Sequence, residues 1–371
     1  MAELADAQDL KSCGTYLPYR FDSGCRHEKI QHCKSWIFFR LTGNFRFLSN
    51  KNAPRGSHCG GKEKFPQTIQ TKVSKGNEFM NIQWYPGHMT KAKRAMKEDI
   101  KLIDLVIELV DARMPLGSRN PDIDELARGK GRMVLLNKAD LADERMNEQW
   151  TSWFKEKGFH VIKINARTGM GLKQIHPMVQ EACREKIERD RRRGIKNRPV
   201  RAMVVGIPNV GKSTFINSFA GKACAKTGNK PGVTKGNQWI RLNRTLELLD
   251  TPGILWPKFE DQTVGLNLAF IGSINDEIID KTELAAELAD FLMIHYREML
   301  EARYQLVPGE KYEPYQVLEQ IARVRSCLLK GNELDLKKAA NLFLDDFRSG
   351  KLGRITLEFP DGREQDKGAQ V

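Results

Sequence analysis

The sequence predicts an α/β protein: a doubly wound, mostly parallel sheet within residues 80–274, then a small all-α region over 275–371. Three observations predict it. Short apolar runs of strand length recur between longer amphipathic stretches. The runs are apolar at consecutive rather than alternate positions, as in strands covered on both faces. After about Asn275 the runs stop and only helical periodicity continues.

The strand candidates are Leu105–Val110, Met133–Leu136, His160–Ile164, Val200–Val205 and Leu246–Leu249, each bounded by polar turns. Helices are expected between and beside them at Thr90–Lys101, Glu144–Lys157, Leu172–Arg193 and Ser213–Phe219. In the C-terminal region Lys281–Ala302, Pro314–Leu329 and Asp335–Ser349 repeat apolar residues three and four apart.

Charge is the first functional clue. The chain carries 61 Lys+Arg against 47 Asp+Glu, a formal net charge of +14, which favours a polyanionic partner and says nothing of fold. No run approaches the ~18 apolar residues of a membrane span, so no membrane partner is expected. Residues 1–79 differ in character from the rest. They hold Cys13, Cys25, Cys33 and Cys59 with His27, His32 and His58, without CxxC or HxxxH spacing, which argues against zinc. Acids at Glu3, Asp6 and Asp9 argue against a transit peptide. The expectation is a disordered or non-native extension, with translation starting at Met80; intact mass of the native protein tests this.

Gly206-Ile-Pro-Asn-Val-Gly211-Lys212-Ser213 fits GxxxxGK[ST], after a strand and before a helix. Its glycines let the backbone wrap a phosphate, so Asn209, Val210, Gly211, Lys212, Ser213 and Thr214 are candidate nucleotide contacts. Lys212 would serve the transferring phosphate and the Ser213 hydroxyl Mg²⁺. Asp250-Thr251-Pro252-Gly253 ends the strand Leu246–Leu249, placing Asp250 for Mg²⁺ through water and the Gly253 N–H for a γ-phosphate. Thr234, in Lys230-Pro-Gly-Val-Thr234, is a second hydroxyl candidate for Mg²⁺.

Asn137-Lys138-Ala139-Asp140 ends another strand and fits NKxD. The Asp140 carboxylate matches the N1–H and 2-amino donors of guanine, a pair adenine lacks. Asn137 would tie loops together, and the Lys138 stem would cover the base. Asn165-Ala166-Arg167 is a candidate contact to the guanine oxygen. The base-reading motifs precede the phosphate loop in the chain, so the sheet is assembled in circularly permuted order.

From Met80 to about Gly350 the chain resembles the YlqF/RbgA family of circularly permuted GTPases, which act in assembly of the large ribosomal subunit. The resemblance adds Trp84-Tyr-Pro-Gly-His-Met89, Asp111-Ala-Arg-Met-Pro115 and Asp250-Thr-Pro-Gly-Ile-Leu-Trp-Pro-Lys258 to the motifs above. It implies a permuted P-loop GTPase domain, GTP and Mg²⁺ as ligands, and a C-terminal helical domain on ribosomal RNA. The expected action is binding of precursor rRNA in the GTP state and release on hydrolysis, with ribosomal proteins as further contacts and no DNA. The family implies a bacterial cytoplasmic location, with a mitochondrial branch as the other.

Where many GTPases carry a Gln after DxxG, this chain has Ile254 and Leu255, so hydrolysis is expected to be slow alone and stimulated by ribosomal particles. The resemblance implies His88 as the catalytic histidine beside Lys212, and Asn209 as a K⁺ ligand. Packing beside Trp84 and Tyr85, or an RNA contact, is the other reading of His88. Arg184–Arg198, Lys91–Lys97, and Arg323, Arg325, Lys330, Lys337 and Lys338 are RNA candidates or solvated faces. The alternatives are a small-subunit permuted GTPase and an RNA-binding scaffold with structural GTP. Against the first, 1–79 lack strand alternation and only Cys327 lies beyond Cys224.

Overall fold

Strands β1 (Leu105–Asp111), β2 (Gly131–Asn137), β3 (His160–Lys163), β4 (Val200–Val205), β5 (Gln238–Arg241) and β6 (Leu246–Asp250) form one sheet in the order β3-β2-β1-β4-β6-β5. The computed structural model describes residues 87–195, 198–225, 238–256 and 261–360, all within one unit, Ile69–Val371. The pairs are parallel except β5 against β6. The sequence expectation of a mostly parallel sheet therefore holds. Every residue of β1 is buried, as both-face cover demands. Parallel pairing also brings strand C-termini to one edge, where Asp111 lies opposite Asn137 and Asp250 opposite Val204. Open α/β sheets bind their ligands at that edge.

The helices are α1 (Gly87–Asp99), α2 (Asp122–Leu126), α3 (Glu144–Glu156), α4 (Ile175–Ala182), α5 (Arg184–Arg192), α6 (Lys212–Ala220), α7 (Gln262–Phe270), α8 (Lys281–His295), α9 (Arg297–Tyr304), α10 (Pro314–Val324) and α11 (Leu336–Arg348). Three elements escaped the sequence reading for physical reasons. β5 is an edge strand with only Ile240 buried, so no apolar run marks it. α2 is little more than one turn. α7 buries Gly265, Asn267, Leu268, Ala269 and Phe270, so no polar face supplies a period.

Two expected helices are broken. Leu172–Arg193 begins with a 3₁₀ turn at Leu172–Gln174 and bends at the buried Cys183. Lys281–Ala302 breaks at Tyr296, which leaves helical geometry at φ −141°. Its hydroxyl donates to Thr356 O and accepts from Thr356 N, both at 3.0 Å. A tertiary partner thus sets the break.

In the C-terminal region the helix starts are written locally. Asp280 caps α8 and Asp335 caps α11 through backbone N–H groups, while Glu313 and Gln316 form a capping box over Pro314. Val317, Leu318 and Ile321 of α10 meet Ala340, Phe343, Leu344 and Phe347 of α11 in the core. Each large side chain so buried contributes about 1.5–3 kcal/mol. The Arg348 guanidinium then joins α11 to the end of α7, donating to Ala269 O and Phe270 O at 2.8 and 2.9 Å and pairing with Asp276. Among the described residues no helix is long and apolar enough to cross a membrane.

Candidate functional site at the strand ends

The phosphate loop runs from β4 into α6. Gly211 ends it in the left-handed region at φ 100°, and a Cβ there would stand 2.6 Å from Asn137 Nδ2. Glycine is therefore required both by conformation and by the close approach of the base-reading motif. As the N-cap of α6, Gly211 brings no side-chain acceptor to the helix start, the end of a helix that favours anions. Lys212 is only 7% exposed, and its ammonium donates to Gly206 O and Ile207 O at 3.0 Å each. Burial pulls its pKa down to about 8 against the attraction of Asp250.

Asp250, at the end of β6, is buried, and its Oδ1 has no hydrogen-bond partner among the described residues. Burial pushes its carboxyl up to about 6, against Lys212 and the Thr251 backbone N–H. An orphaned buried carboxylate is costly; beside a hydroxyl-bearing phosphate loop it is the donor type that suits Mg²⁺. Next to it, Thr251 Oγ1 donates to Val204 O at 2.8 Å. Gly253 lies flat on the loop: a Cβ would come within 2.8 Å of Pro208 N and Cα and 3.0 Å of Lys212 Nζ. Ile254 and Leu255 are both buried; their side chains carry no hydrogen-bonding group, and the Ile254 N–H donates to Gly206 O of the loop at 3.4 Å.

Asn137 is the joint of the site. Its Nδ2 donates to Val210 O at 2.8 Å, and its Oδ1 accepts from Ala166 N at 3.0 Å. One buried side chain thus connects three motifs that are far apart in the chain. Lys138 follows in the left-handed conformation at φ 58°, a strain of about 1–3 kcal/mol for a non-glycine. Its ammonium is held by Asn209 O at 3.1 Å and Asp111 Oδ2 at 2.8 Å. Burial pulls the Lys138 pKa below its usual value; Asp111 opposes this and Arg113 adds to it. Asp140 is exposed at the mouth of the site. Asn165 Oδ1 accepts from Arg167 N and Thr168 N at 2.9 and 3.1 Å, shaping the turn, and Ser218 Oγ of α6 donates to Ala166 O at 2.6 Å.

The structure therefore brings together Asn137, Lys138, Asp140, Asn165, Ala166, Asn209, Val210, Gly211, Lys212, Ser213, Thr214, Asp250 and Gly253 at one sheet edge. The Asn209 amide donates to Gly272 O at 2.7 Å, so the loop also touches the turn after α7. Thr234 lies outside the described residues, as do Trp84–Pro86 and the Cys and His residues of the N-terminal stretch. His88 is in the first turn of α1. A small cavity lined by Met96 of α1, Ser118, Asn120, Gly206 and Ile254 lies between that helix and the loop. The sequence reading gave no role to Asp111, Ser218 or Glu358. An acid closing a strand at the site edge was the available signal for Asp111; the other two had none.

The basic candidates divide. Lys91–Lys97 lies on α1, with Lys93 paired to Asp122 at 2.6 Å. In α5 and beyond, Lys186 pairs with Asp104 and Asp190, and Arg184 and Arg192 with Glu188, so much of that charge is met within the fold. Arg323, Arg325, Lys330, Lys337 and Lys338 are all exposed.

Comparison with known proteins places this geometry. A family model described as 50S ribosome-binding GTPase matches residues 201–320. Ribosome biogenesis GTPase A of Bacillus cereus is 51% identical over 284 residues, 76% of this chain and 95% of that protein. The Thermotoga maritima protein of the same name is 32% identical over 292 residues, 77% of this chain and all of its own length. The GDP-bound structure of the Thermotoga maritima YlqF aligns with a TM-score of 0.52 at 28% identity, covering 72% of this chain and 99% of that one. The GNP-bound form aligns at 0.50 and 29%, with 73% and 99% covered. With half the aligned residues shared with the Bacillus cereus protein over 95% of its length, and the nucleotide motifs in permuted order on one sheet edge, this chain belongs to the ribosome biogenesis GTPase A (RbgA/YlqF) family.

Proposed function

We propose that the chain binds and hydrolyses GTP during assembly of the large ribosomal subunit, engaging precursor rRNA in the GTP state and leaving after hydrolysis. The observation that carries the nucleotide part is the pair of Asn137 hydrogen bonds, which unites the Asn137–Asp140, Asn165–Arg167 and phosphate-loop segments. Asp140 selects guanine by accepting from N1–H and the 2-amino group. Backbone N–H groups from Asn209 to Thr214 take the phosphates, and Lys212 leaves its two loop carbonyls for them.

Ser213, Asp250 and Thr234 would hold Mg²⁺, which when bound neutralises charge on the β- and γ-phosphates. The orphaned Asp250 oxygen supports this assignment. With Ile254 and Leu255 buried, orientation of the attacking water falls to His88, at the start of α1, because an imidazole can donate or accept a hydrogen bond. Asn209 is assigned to K⁺. Turnover is slow alone and rises on ribosomal particles. Residues 80–274 act as the GTPase domain and 275–371 as the RNA-contacting domain, with Arg323, Arg325, Lys330, Lys337 and Lys338 on its exposed face. Large-subunit rRNA and neighbouring ribosomal proteins are the partners, in the cytoplasm.

Co-sedimentation with immature and mature large subunits, in GTP, GDP and a non-hydrolysable analogue, tests the reading. Preference of the GTP-state protein for the immature large particle is the expected result, and indifference to nucleotide overturns it. For His88→Ala, particle-stimulated turnover should fall while GTP affinity stays. Equal rates in potassium and sodium buffers would remove the cation from Asn209.

A further inference from the structure

The turn Asp111-Ala-Arg-Met-Pro115 belongs to none of the nucleotide motifs, yet its Asp111 is one of the two groups that hold the Lys138 ammonium. Asp111 ends β1 directly opposite Asn137 in the register, and both it and Arg113 are essentially inaccessible to solvent. Its Oδ2 takes the Lys138 ammonium at 2.8 Å and Arg113 Nη2 at 2.8 Å; its Oδ1 takes Arg113 Nε at 2.9 Å and Arg113 N at 3.1 Å. Ser118 Oγ accepts from the Asp111 N–H at 3.0 Å. The carboxylate therefore accepts four hydrogen bonds, three from Arg113 and one from Lys138 of the base-reading loop.

Arg113 carries the connection outward. Its guanidinium lies over the ring of Phe347 in α11, 5.3 Å from the centroid, a contact that suits a planar cation. Its carbonyl accepts from Leu357 N at 2.7 Å, in a C-terminal strap whose Ile355 N donates to Leu141 O, one residue past Asp140. The strap and α11 thus brace the base-reading loop from both ends. Lys138 sits in a backbone conformation that a lysine does not adopt unaided. Such a residue persists only where its surroundings over-determine it.

We propose that Asp111 is the positioning residue of the base-reading loop, fixing Lys138 for the base while Arg113 passes that constraint to the C-terminal helical region. This rests on Asn137–Asp140 reading guanine. Burial works against the Asp111 carboxylate, but the Arg113 and Lys138 cations outweigh it and hold it well below the usual carboxylate range. It is an anion at any working pH, so the position of Lys138 does not depend on proton uptake there.

The test is calorimetric titration of GDP and inosine diphosphate, which lacks the 2-amino group, into the full-length chain. Asp111→Asn keeps the shape and removes the charge that Lys138 needs. It should weaken GDP binding about 10- to 100-fold and narrow the preference for GDP over inosine diphosphate. In a Lys138→Met background the same change should have little further effect, because Asp111 acts through that ammonium. A folded Asp111→Asn protein with GDP affinity within about threefold of the parent and an unchanged preference overturns the proposal. Arg113→Lys is the milder arm should Asp111→Asn not fold. It keeps a cation but loses the bidentate fork and the stack on Phe347, and a loss of about 3- to 10-fold is expected; unchanged affinity and preference there also overturn it. A parent chain that binds both diphosphates alike would instead defeat the guanine assignment, and the affinity comparison would still decide Asp111.

Discussion

The two halves of the nucleotide edge are built differently. At the ends of β1 and β2 the polar groups are paired in advance: Asn137 meets Val210 and Ala166, Lys138 meets Asp111 and Asn209, and the C-terminal strap closes over them. At the ends of β4 and β6 the charges face each other without a bond. Asp250 keeps an orphaned oxygen, and Lys212 donates into its own loop. The difference teaches where affinity and response reside. A corner whose base-reading side chains are paired in advance suits a base, which does not change during hydrolysis; among its described polar atoms Arg113 Nη1 is the buried one left without a partner. A corner with an orphaned buried carboxylate oxygen would be completed by a phosphate and cation, whose arrangement does change under the proposed function.

The sharpest way to break that contrast is at Lys212. Lys212→Met should cut GTP turnover by at least about 100-fold, while relieving the burial of a charge, so the nucleotide-free protein should not lose melting temperature. A large loss of thermal stability would mean that the phosphate corner is as pre-built as the other. Asn137→Ala should act in the opposite way. It strands the Val210 carbonyl and the Ala166 N–H, at about 1–3 kcal/mol for each group. Melting temperature should fall by several degrees without any ligand, and GDP affinity with it; calorimetry reads both.

A smaller effect sharpens the phosphate corner by pH. The Asp250 carboxyl, raised to about 6 by burial, must be ionised to serve a cation. GTP affinity in the presence of Mg²⁺ should therefore rise as pH passes through about 6 and then level off, with a proton released on binding below that point. Titration in buffers of different ionisation enthalpy measures that proton; an affinity flat from pH 5 to pH 7 would contradict it.

The smallest effect belongs to the strap. Glu358 accepts from Leu116 N and Gly117 N at 2.7 and 2.8 Å, and its backbone carbonyl takes Trp150 Nε1 at 3.1 Å. Burial pushes its carboxyl up to about 7 although those N–H groups oppose it. Since the folded state holds the proton more tightly than the unfolded chain, this contribution is full below about 4.5 and lost as pH rises through about 7. Glu358→Gln should flatten that part of the melting-temperature profile; an unchanged slope between pH 5 and pH 7.5 would count against it.

Much of the phosphate corner was legible because its chemistry is contiguous: Gly211, Lys212 and Ser213 are neighbours, and Asp250 and Gly253 lie in one tetrapeptide. The base-reading tetrapeptide was legible for the same reason. Asp111 and Arg113 were visible as a turn but not as a brace, because the partners that give them a role, Lys138, Phe347 and Leu357, lie 25 to more than 200 residues away. Glu358 had no local signal at all, since its carboxylate satisfies backbone N–H groups more than 200 residues earlier. Periodicity located the buried strands and the amphipathic helices. It missed β5, which buries one residue, and the break at Tyr296, which a distant Thr356 creates.

By itself the sequence determined the parallel strands, the permuted order of the motifs and the candidate groups for a nucleotide. These follow from hydrophobic period and from short-range backbone geometry, both written within a few residues. Only the tertiary structure decided which charges are satisfied and which are not. That depends on desolvation and on partners brought in from other elements, and neither has a period along the chain. The same physics leaves one Asp250 oxygen without a partner and binds Asp111 to Lys138.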